Sequence, residues 1–154
     1  MSDVNPIAQN YPRVSPHLSI NGAAEALDFY KDVLGATERM RMDAPNGMVA
    51  HAELQIGDSV VMVGEEMPGG NYPSPKTVGG SPVALFLYVE DVDDVYKRAI
   101  EGGATTVSEP PEDHFYGDRV AMFDDPFGHR WNVAVHVEDV SPDEMERCAA
   151  EAMG

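Results

Sequence analysis

Short stretches in which apolar and polar residues alternate run along the chain, and a helical pattern interrupts them twice. Apolar residues recur at helical spacing over residues 23–34 and again over residues 92–100. Glycine follows both stretches, as Gly35 in the first and as Gly102 in the second. Glycine is common directly after a helix because it adopts positive φ without strain. The pattern therefore predicts two helices, each set among strands.

Strands are predicted on both sides of each helix, because short apolar runs there are bounded by turn residues. Turn clusters at residues 44–47 and 57–58 separate the strands of the first half. The order β, α, β, β, β occurs twice and indicates the α+β class. The predicted strands cover residues 14–20, 37–42, 49–56 and 59–63, and then 83–89, 104–107, 119–123 and 129–136.

The two halves of the chain repeat one another. The run Leu34-Gly35-Ala36-Thr37 corresponds to Gly102-Gly103-Ala104-Thr105, each at a helix end that leads into a strand. We expect one domain over residues 13–140, after a flexible lead-in over residues 1–12. Within it, module one covers residues 13–64, a connector rich in Gly, Pro and Ser covers 65–82, and module two covers 83–137.

A further helix is predicted at the C-terminus, over residues 141–154. Ser141-Pro142-Asp143-Glu144 combines a capping box with proline at the first helical position. Met145, Cys148 and Ala152 then fall on one face. This face packs either on its own domain or on a partner subunit, and the sequence supports both alternatives.

The charge balance excludes several classes of partner. The 154 residues include 27 Asp and Glu against 10 Lys and Arg, a formal net charge of −17, which repels nucleic acid and anionic lipid surfaces. No apolar stretch approaches the roughly 18 residues of a membrane span, and the N-terminus lacks the pattern of a signal peptide. Cys148 is the single cysteine, so no intramolecular disulfide is possible. We expect a cytoplasmic protein that binds neither nucleic acid nor membrane.

Two motifs resemble one known superfamily. Residues 21–31 (NGAAEALDFYK) with residues 33–36 (VLGA) are similar to the first helix of the glyoxalase/bleomycin-resistance/dioxygenase (vicinal oxygen chelate) superfamily, and residues 125–129 (DPFGH) are similar to its last hairpin. With residues 51–53 and 136–145 they resemble its PhnB-like branch, over residues 14–145. The resemblance implies two βαβββ modules that form curved antiparallel sheets around a cavity for a small organic ligand. It also implies a homodimer.

The same resemblance allows a metal site to be tested. Metal-using members take His, Glu and Gln ligands from the first and last strands of each module. Those strands offer here His17, Met62, Ala84 or Leu85, and Asn132, of which only His17 is a good ligand for a divalent ion. We therefore predict no metal ligands and no cofactor.

A nonstandard metal site is the alternative. His51 and Glu53 lie two residues apart on a strand and so point to the same side. A divalent-metal-dependent lyase, isomerase or dioxygenase of the superfamily would use His17 with His51 or Glu53. A hydrogen-bonded or solvated strand face explains the pair equally well.

The loop of residues 112–119 is predicted to contact a ligand, because aromatic and ionisable groups concentrate there. Arg119 suits a ligand carboxylate or phosphonate, or an ion pair with Asp118 or Asp124. Tyr116 suits stacking on a flat ligand. We predict a metal-independent protein that sequesters or modifies a small organic compound, and the residues favour neither role over the other. The predicted ligand-binding residues are His17, His51, Glu53, Tyr116, Arg119 and Asn132.

Overall fold

A computed structural model describes residues 3–108 and 110–154, and the chain divides into two compact units. Unit 1 is Met1–Gly79 and unit 2 is Gly80–Gly154. Unit 1 contains strands β1 (His17–Ile20), β2 (Thr37–Asp43), β3 (Val49–Ile56) and β4 (Ser59–Glu65), with helices α1 (Ala23–Leu34) and α2 (Pro75–Val78). Unit 2 contains β5 (Ala84–Tyr88), β6 (Thr105–Thr106), β7 (Glu112–Asp113), β8 (Asp118–Asp124) and β9 (Arg130–His136), with α3 (Val92–Glu101) and α4 (Pro142–Met153).

The sheet of unit 1 is curved and has the strand order β1-β4-β3-β2. The pairs β2–β3 and β3–β4 are antiparallel, as predicted, but β1 pairs with β4 in parallel. The expected curved antiparallel sheet is thus confirmed, with the pair β1–β4 as a parallel exception. The reason is the direction in which the chain runs. Helix α1 carries the chain back along the sheet, so β2 runs in the same direction as β1. β3 then runs in the opposite direction, and β4 runs parallel to β1 again.

Helix α1 packs on one face of this sheet. It has the predicted bounds, and Gly35 ends it at φ 67° with its N–H bonded to Tyr30. At its start, Gly22 offers no capping side chain, and the Glu65 carboxylate accepts the N–H groups of Gly22 and Ala23 at 3.0 and 2.7 Å. Alternate strand residues are buried against the helix, namely Leu18, Ile20, Ala52, Leu54, Val61 and Val63. The opposite side, which we call the helix-free face, carries the other set of side chains.

Unit 2 repeats this arrangement with the order β5-β9-β8-β6. Again the first strand is parallel to the last, since β5 pairs with β9 in parallel, and α3 packs on β8 and β9. The predicted strand at residues 104–107 is reduced to β6, and β7 forms within the predicted loop 112–119, paired with β8. Pro110 and Pro111 lie between β6 and β7, and proline has no N–H to donate to a sheet. The predicted strand is therefore shorter than expected, and pairing with β8 resumes only at β7, after the two prolines.

Both remaining helices start at a serine. α2 lies in the predicted connector, where Ser74 accepts the N–H of Thr77 and Pro75 occupies the first turn. α4 confirms the predicted C-terminal helix, with Ser141 accepting the N–H of Glu144, and none of its residues is buried. In the described part of the chain, no helix is long and apolar enough to cross a membrane.

Candidate functional site

The three predicted site residues of unit 1 lie together on the helix-free face. His17 is on β1, while His51 and Glu53 are on β3. The rings of His17 and His51 stack with centroids 5.8 Å apart and planes 12° apart, and His51 Nε2 is 3.6 Å from Glu53 Oε1. Gly64 on β4 lies beside His17, and a Cβ there would be in ordinary van der Waals contact with Cε1 of His17, at 3.7 Å.

Glu53 is only 3% exposed, although it carries a carboxylate. Its Oε1 accepts a hydrogen bond from the hydroxyl of Tyr11 at 2.9 Å, while its Oε2 is buried and has no hydrogen-bond partner within the described residues. The hydrogen bond to Glu53 raises the pKa of Tyr11, because it favours the protonated phenol. Arg39 lies over the Tyr11 ring, 4.5 Å from its centroid.

A second tyrosine lies beside His17. The Tyr72 ring is 5.6 Å from the His17 ring, and Ser19 donates its hydroxyl proton to the Tyr72 carbonyl. Desolvation of the imidazole and the nearby His51 both lower the pKa of His17. His17 is therefore uncharged at neutral pH.

Sequence reasoning missed both tyrosines, because Tyr11 lies in the lead-in and Tyr72 in the connector, where no periodic pattern points to them. A signal was present nonetheless. The tripeptide Asn-Tyr-Pro occurs at residues 10–12 and again at residues 71–73. Each copy places its tyrosine against one of the polar residues of this site.

In unit 2, Asn132 lies on the helix-free face in the middle strand β9. Its neighbours across the sheet are Phe86 on β5 and Met122 on β8. Its Oδ1 is buried and has no hydrogen-bond partner within the described residues. Tyr116, in the turn that joins β7 and β8, stacks on His114 with the ring centroids 5.1 Å apart, and burial raises its pKa.

Arg119 points to the other face of the same sheet. Its Nε and Nη2 donate to Asp93 of α3 at 2.9 and 2.8 Å, and its Nη1 donates to Asp113 of β7 at 3.1 Å. These hydrogen bonds raise the pKa of Arg119. The expected alternatives, Asp118 and Asp124, have other partners. The guanidinium therefore joins β8 to α3 and β7, away from Asn132.

A chain of polar groups occupies the end of the unit 2 sheet. Asp118 is bonded to the Tyr88 hydroxyl at 2.8 Å and to Nδ1 of His136 at 2.7 Å, and Nε2 of His136 is bonded to Asp139 at 2.8 Å. Burial acts to raise the pKa of Asp118, but the hydrogen bonds from His136 and Tyr88 outweigh it and the pKa is lowered. The hydrogen bonds to Asp118 and Asp139 raise the pKa of His136. Both ring nitrogens of His136 are hydrogen-bonded, so this side chain links Asp118 on β8 to Asp139 in the segment after β9.

The family model for the Glyoxalase/Bleomycin resistance protein/Dioxygenase superfamily matches residues 13–133. The chain belongs to this superfamily. An uncharacterized protein of Mycobacterium bovis is 41% identical over 138 residues, which covers 88% of this chain and 90% of that protein. The family match covers most of the residues over which the resemblance was predicted, and it confirms the superfamily.

Solved structures of superfamily type share the fold. TioX from Micromonospora sp. ML1 is 26% identical, with a TM-score of 0.64, over 82% of this chain and 99% of its own. The PhnB protein from Bacillus cereus, described as a putative 3-demethylubiquinone-9 3-methyltransferase, is 15% identical with the same TM-score, over 80% of this chain and 99% of its own. The second likeness shows the fold alone, and it supports the PhnB-like resemblance at that level.

The metal site that the superfamily resemblance implies does not fit the residues of this member. Two pairs of cross-strand neighbours join the first and last strands on the helix-free faces, His17 with Met62 and Phe86 with Asn132. These four positions include one imidazole and no carboxylate. An imidazole lone pair lies in the ring plane, so the near-parallel rings of His17 and His51 do not converge on one point. Over residues 3–108 and 110–154, no three His, Cys, Asp or Glu side chains are grouped so as to hold an ion.

Proposed function

We propose that this superfamily member is a metal-independent protein that binds a small organic compound on its helix-free faces, to sequester or modify it. The observation that carries the proposal is an orphaned acceptor on the helix-free face of each unit, Oε2 of Glu53 in unit 1 and Oδ1 of Asn132 in unit 2. Buried polar atoms are almost always hydrogen-bonded, because an unmet bond costs about 1–3 kcal/mol. A ligand with hydrogen-bond donors would supply the missing partners.

The side chains beside these acceptors suit an organic ligand. Met40 and Met62 are the cross-strand neighbours of Glu53, and Phe86 and Met122 are those of Asn132. Thioethers and aromatic rings are polarisable and adapt to irregular apolar shapes. An apolar surface with few polar groups is typical of small-molecule sites.

Methionine methyl groups provide a direct test of this proposal. With ¹³C-methyl methionine and a panel of small aromatic and aliphatic compounds, we expect ligands to shift the NMR signals of Met62, Met122 or both. The signals of Met145 and Met153 in the exposed helix α4 serve as the internal control and should not move. A panel in which no compound shifts Met62 or Met122, or in which all methionines shift alike, would contradict the proposal.

Metal independence leads to a separate expected result. Thermal unfolding with Ni, Zn, Mn, Mg and Fe ions, against a chelator control, should show no shift that depends on His17 and His51. The double variant His17→Ala, His51→Ala is the matched comparison, since a specifically bound ion stabilises only the folded protein that carries its ligands. A rise of several degrees in Tm with one ion, lost in the double variant, would instead support the metal-dependent lyase, isomerase or dioxygenase.

The homodimer also remains a proposal. Helix α4 has no buried residue, and Met145 and Met153 are 37% and 84% exposed. An isolated helix of this length is marginally stable in water. Burial of its apolar face against a second copy would stabilise it.

A further inference from the structure

Glu53 differs from the other buried carboxylates of the described residues. Asp118 and Asp125 are about as buried, at 5% and 4% exposed, but each of them has both oxygens hydrogen-bonded within the chain. Glu53 has only Oε1 bonded, by Tyr11, and Oε2 is left without a partner. A charged oxygen in such a place is costly unless a donor meets it.

The neighbouring side chains do not supply that donor. Neither histidine donates to Oε2, which has no hydrogen-bond partner within the described residues, and Nε2 of His51 is 3.6 Å from Oε1, beyond a good hydrogen bond. Arg39 directs Nη2 at the carbonyl of Asn10, 2.8 Å away, and stacks on the Tyr11 ring. Nη1 of Arg39 is buried and has no hydrogen-bond partner within the described residues, so this guanidinium donates to the lead-in and not to Oε2 of Glu53.

The surroundings of Glu53 favour a flat donor-bearing group. Met40 and Met62 lie on either side of Glu53 in the sheet. His17 is the next cross-strand neighbour of Met62, and the Tyr72 ring lies 5.6 Å from the His17 ring. Polarisable, poorly hydrated neighbours strengthen a hydrogen bond to a carboxylate. The net charge of −17 also raises the local concentration of cations and repels anions.

We infer that unit 1 binds an organic cation of the amidine or aromatic amine class, with Oε2 of Glu53 accepting an N–H from its nitrogen and the flat body lying against the aromatic and thioether groups. This inference rests on the proposed function and names its ligand class. Tyr11 donates its hydroxyl proton to Oε1 at 2.9 Å, which leaves Oε2 for the ligand nitrogen.

Three compounds with the same ring test the inference: benzamidine as the cation, benzamide as a neutral N–H donor, and benzoate as the anion. We expect benzamidine to bind wild-type protein at least about tenfold more tightly than benzoate at low salt, measured by titration of the Met62 methyl signal. A hydrogen bond to a charged group contributes about 1.5–3 kcal/mol, so Glu53→Gln should weaken benzamidine binding by about tenfold or more. Benzamide affinity should change by less than about threefold, because glutamine still accepts an N–H.

The matched control is Glu38→Gln, which makes the same change of charge on β2 of the same unit. Glu38 pairs with Lys31 and is a cross-strand neighbour of Leu54, so it lies on the helix side of the sheet. It should leave benzamidine affinity unchanged. Urea unfolding should find Glu53→Gln at least as stable as wild type, because the change removes a buried charge that is only half paired.

The possible outcomes separate the inference from the proposed function. Benzamidine affinity that is equal in wild type and Glu53→Gln, or benzoate binding as tight as that of benzamidine, would overturn the inference. If benzoate or uncharged compounds still shift Met62 in that case, the proposed function stands. Absence of any shift at Met62 or Met122 with every compound would overturn both.

Discussion

Asp125→Ala is expected to lower the free energy of unfolding by about 3–5 kcal/mol, because three buried or half-buried donors lose their common acceptor. Asp125 is 4% exposed, and its Oδ1 accepts the N–H groups of Phe127 and His129 at 2.9 and 3.0 Å. Its Oδ2 accepts the indole N–H of Trp131 at 3.0 Å. The Asp125 side chain thus holds the turn between β8 and β9 and also the indole ring of Trp131. Urea unfolding followed by circular dichroism measures the effect.

Two further variants separate the contribution of Oδ1 of Asp125 from that of Oδ2. Asp125→Asn keeps the acceptor for Phe127 and His129 and turns an amide NH₂ toward the indole, so we expect a loss of about 1–2 kcal/mol. In a Trp131→Phe background, which lacks the indole N–H, Asp125→Asn should cost clearly less than it does alone. Equal costs in the two backgrounds would show that the Asp125 to Trp131 bond does not stabilise the fold.

Gly117→Ala is expected to lower the free energy of unfolding by about 3–4 kcal/mol. Gly117 has φ 95°, and a Cβ there would lie 2.0 Å from the Glu138 carbonyl oxygen. That oxygen is not free to retreat, because the N–H groups of Val137 and Glu138 donate to the Gly117 carbonyl at 2.8 and 3.1 Å. Positive φ costs an alanine roughly 1–2 kcal/mol, and each of the two hydrogen bonds contributes about 1 kcal/mol.

Gly47→Ala is the control for backbone conformation alone. Gly47 has φ 84° in the turn between β2 and β3, and a Cβ there would have nothing within 4 Å. We expect a loss of only about 1–2 kcal/mol. If urea unfolding shows the same loss of stability for both alanine variants, the prediction is wrong, because the contact between residue 117 and the Glu138 carbonyl then adds nothing to the cost of positive φ.

Local structure was largely predictable from the sequence, because helix and strand periodicity depends on neighbouring residues. Helix α1 begins and ends as the apolar spacing and Gly35 predicted, and the capping box at Ser141 starts α4. Strand β3 matches its predicted range of residues 49–56. Its side-chain alternation also placed His51 and Glu53 together.

The strand pairing and the remaining site residues were decided by tertiary structure. The face of Arg119 follows from the register in which Met122 opposes Asn132, and no local pattern specifies a register between strands. Tyr11 bonds Glu53, which lies 42 residues further along the chain, and Tyr72 contacts His17 on the first strand. Both tyrosines lie in segments without periodicity, so no local pattern points to these contacts. The sequence alone determined the two modules and the fact that His51 and Glu53 share one side of their strand. Only the folded sheet, which joins distant segments, decided that Glu53 keeps one oxygen unpaired.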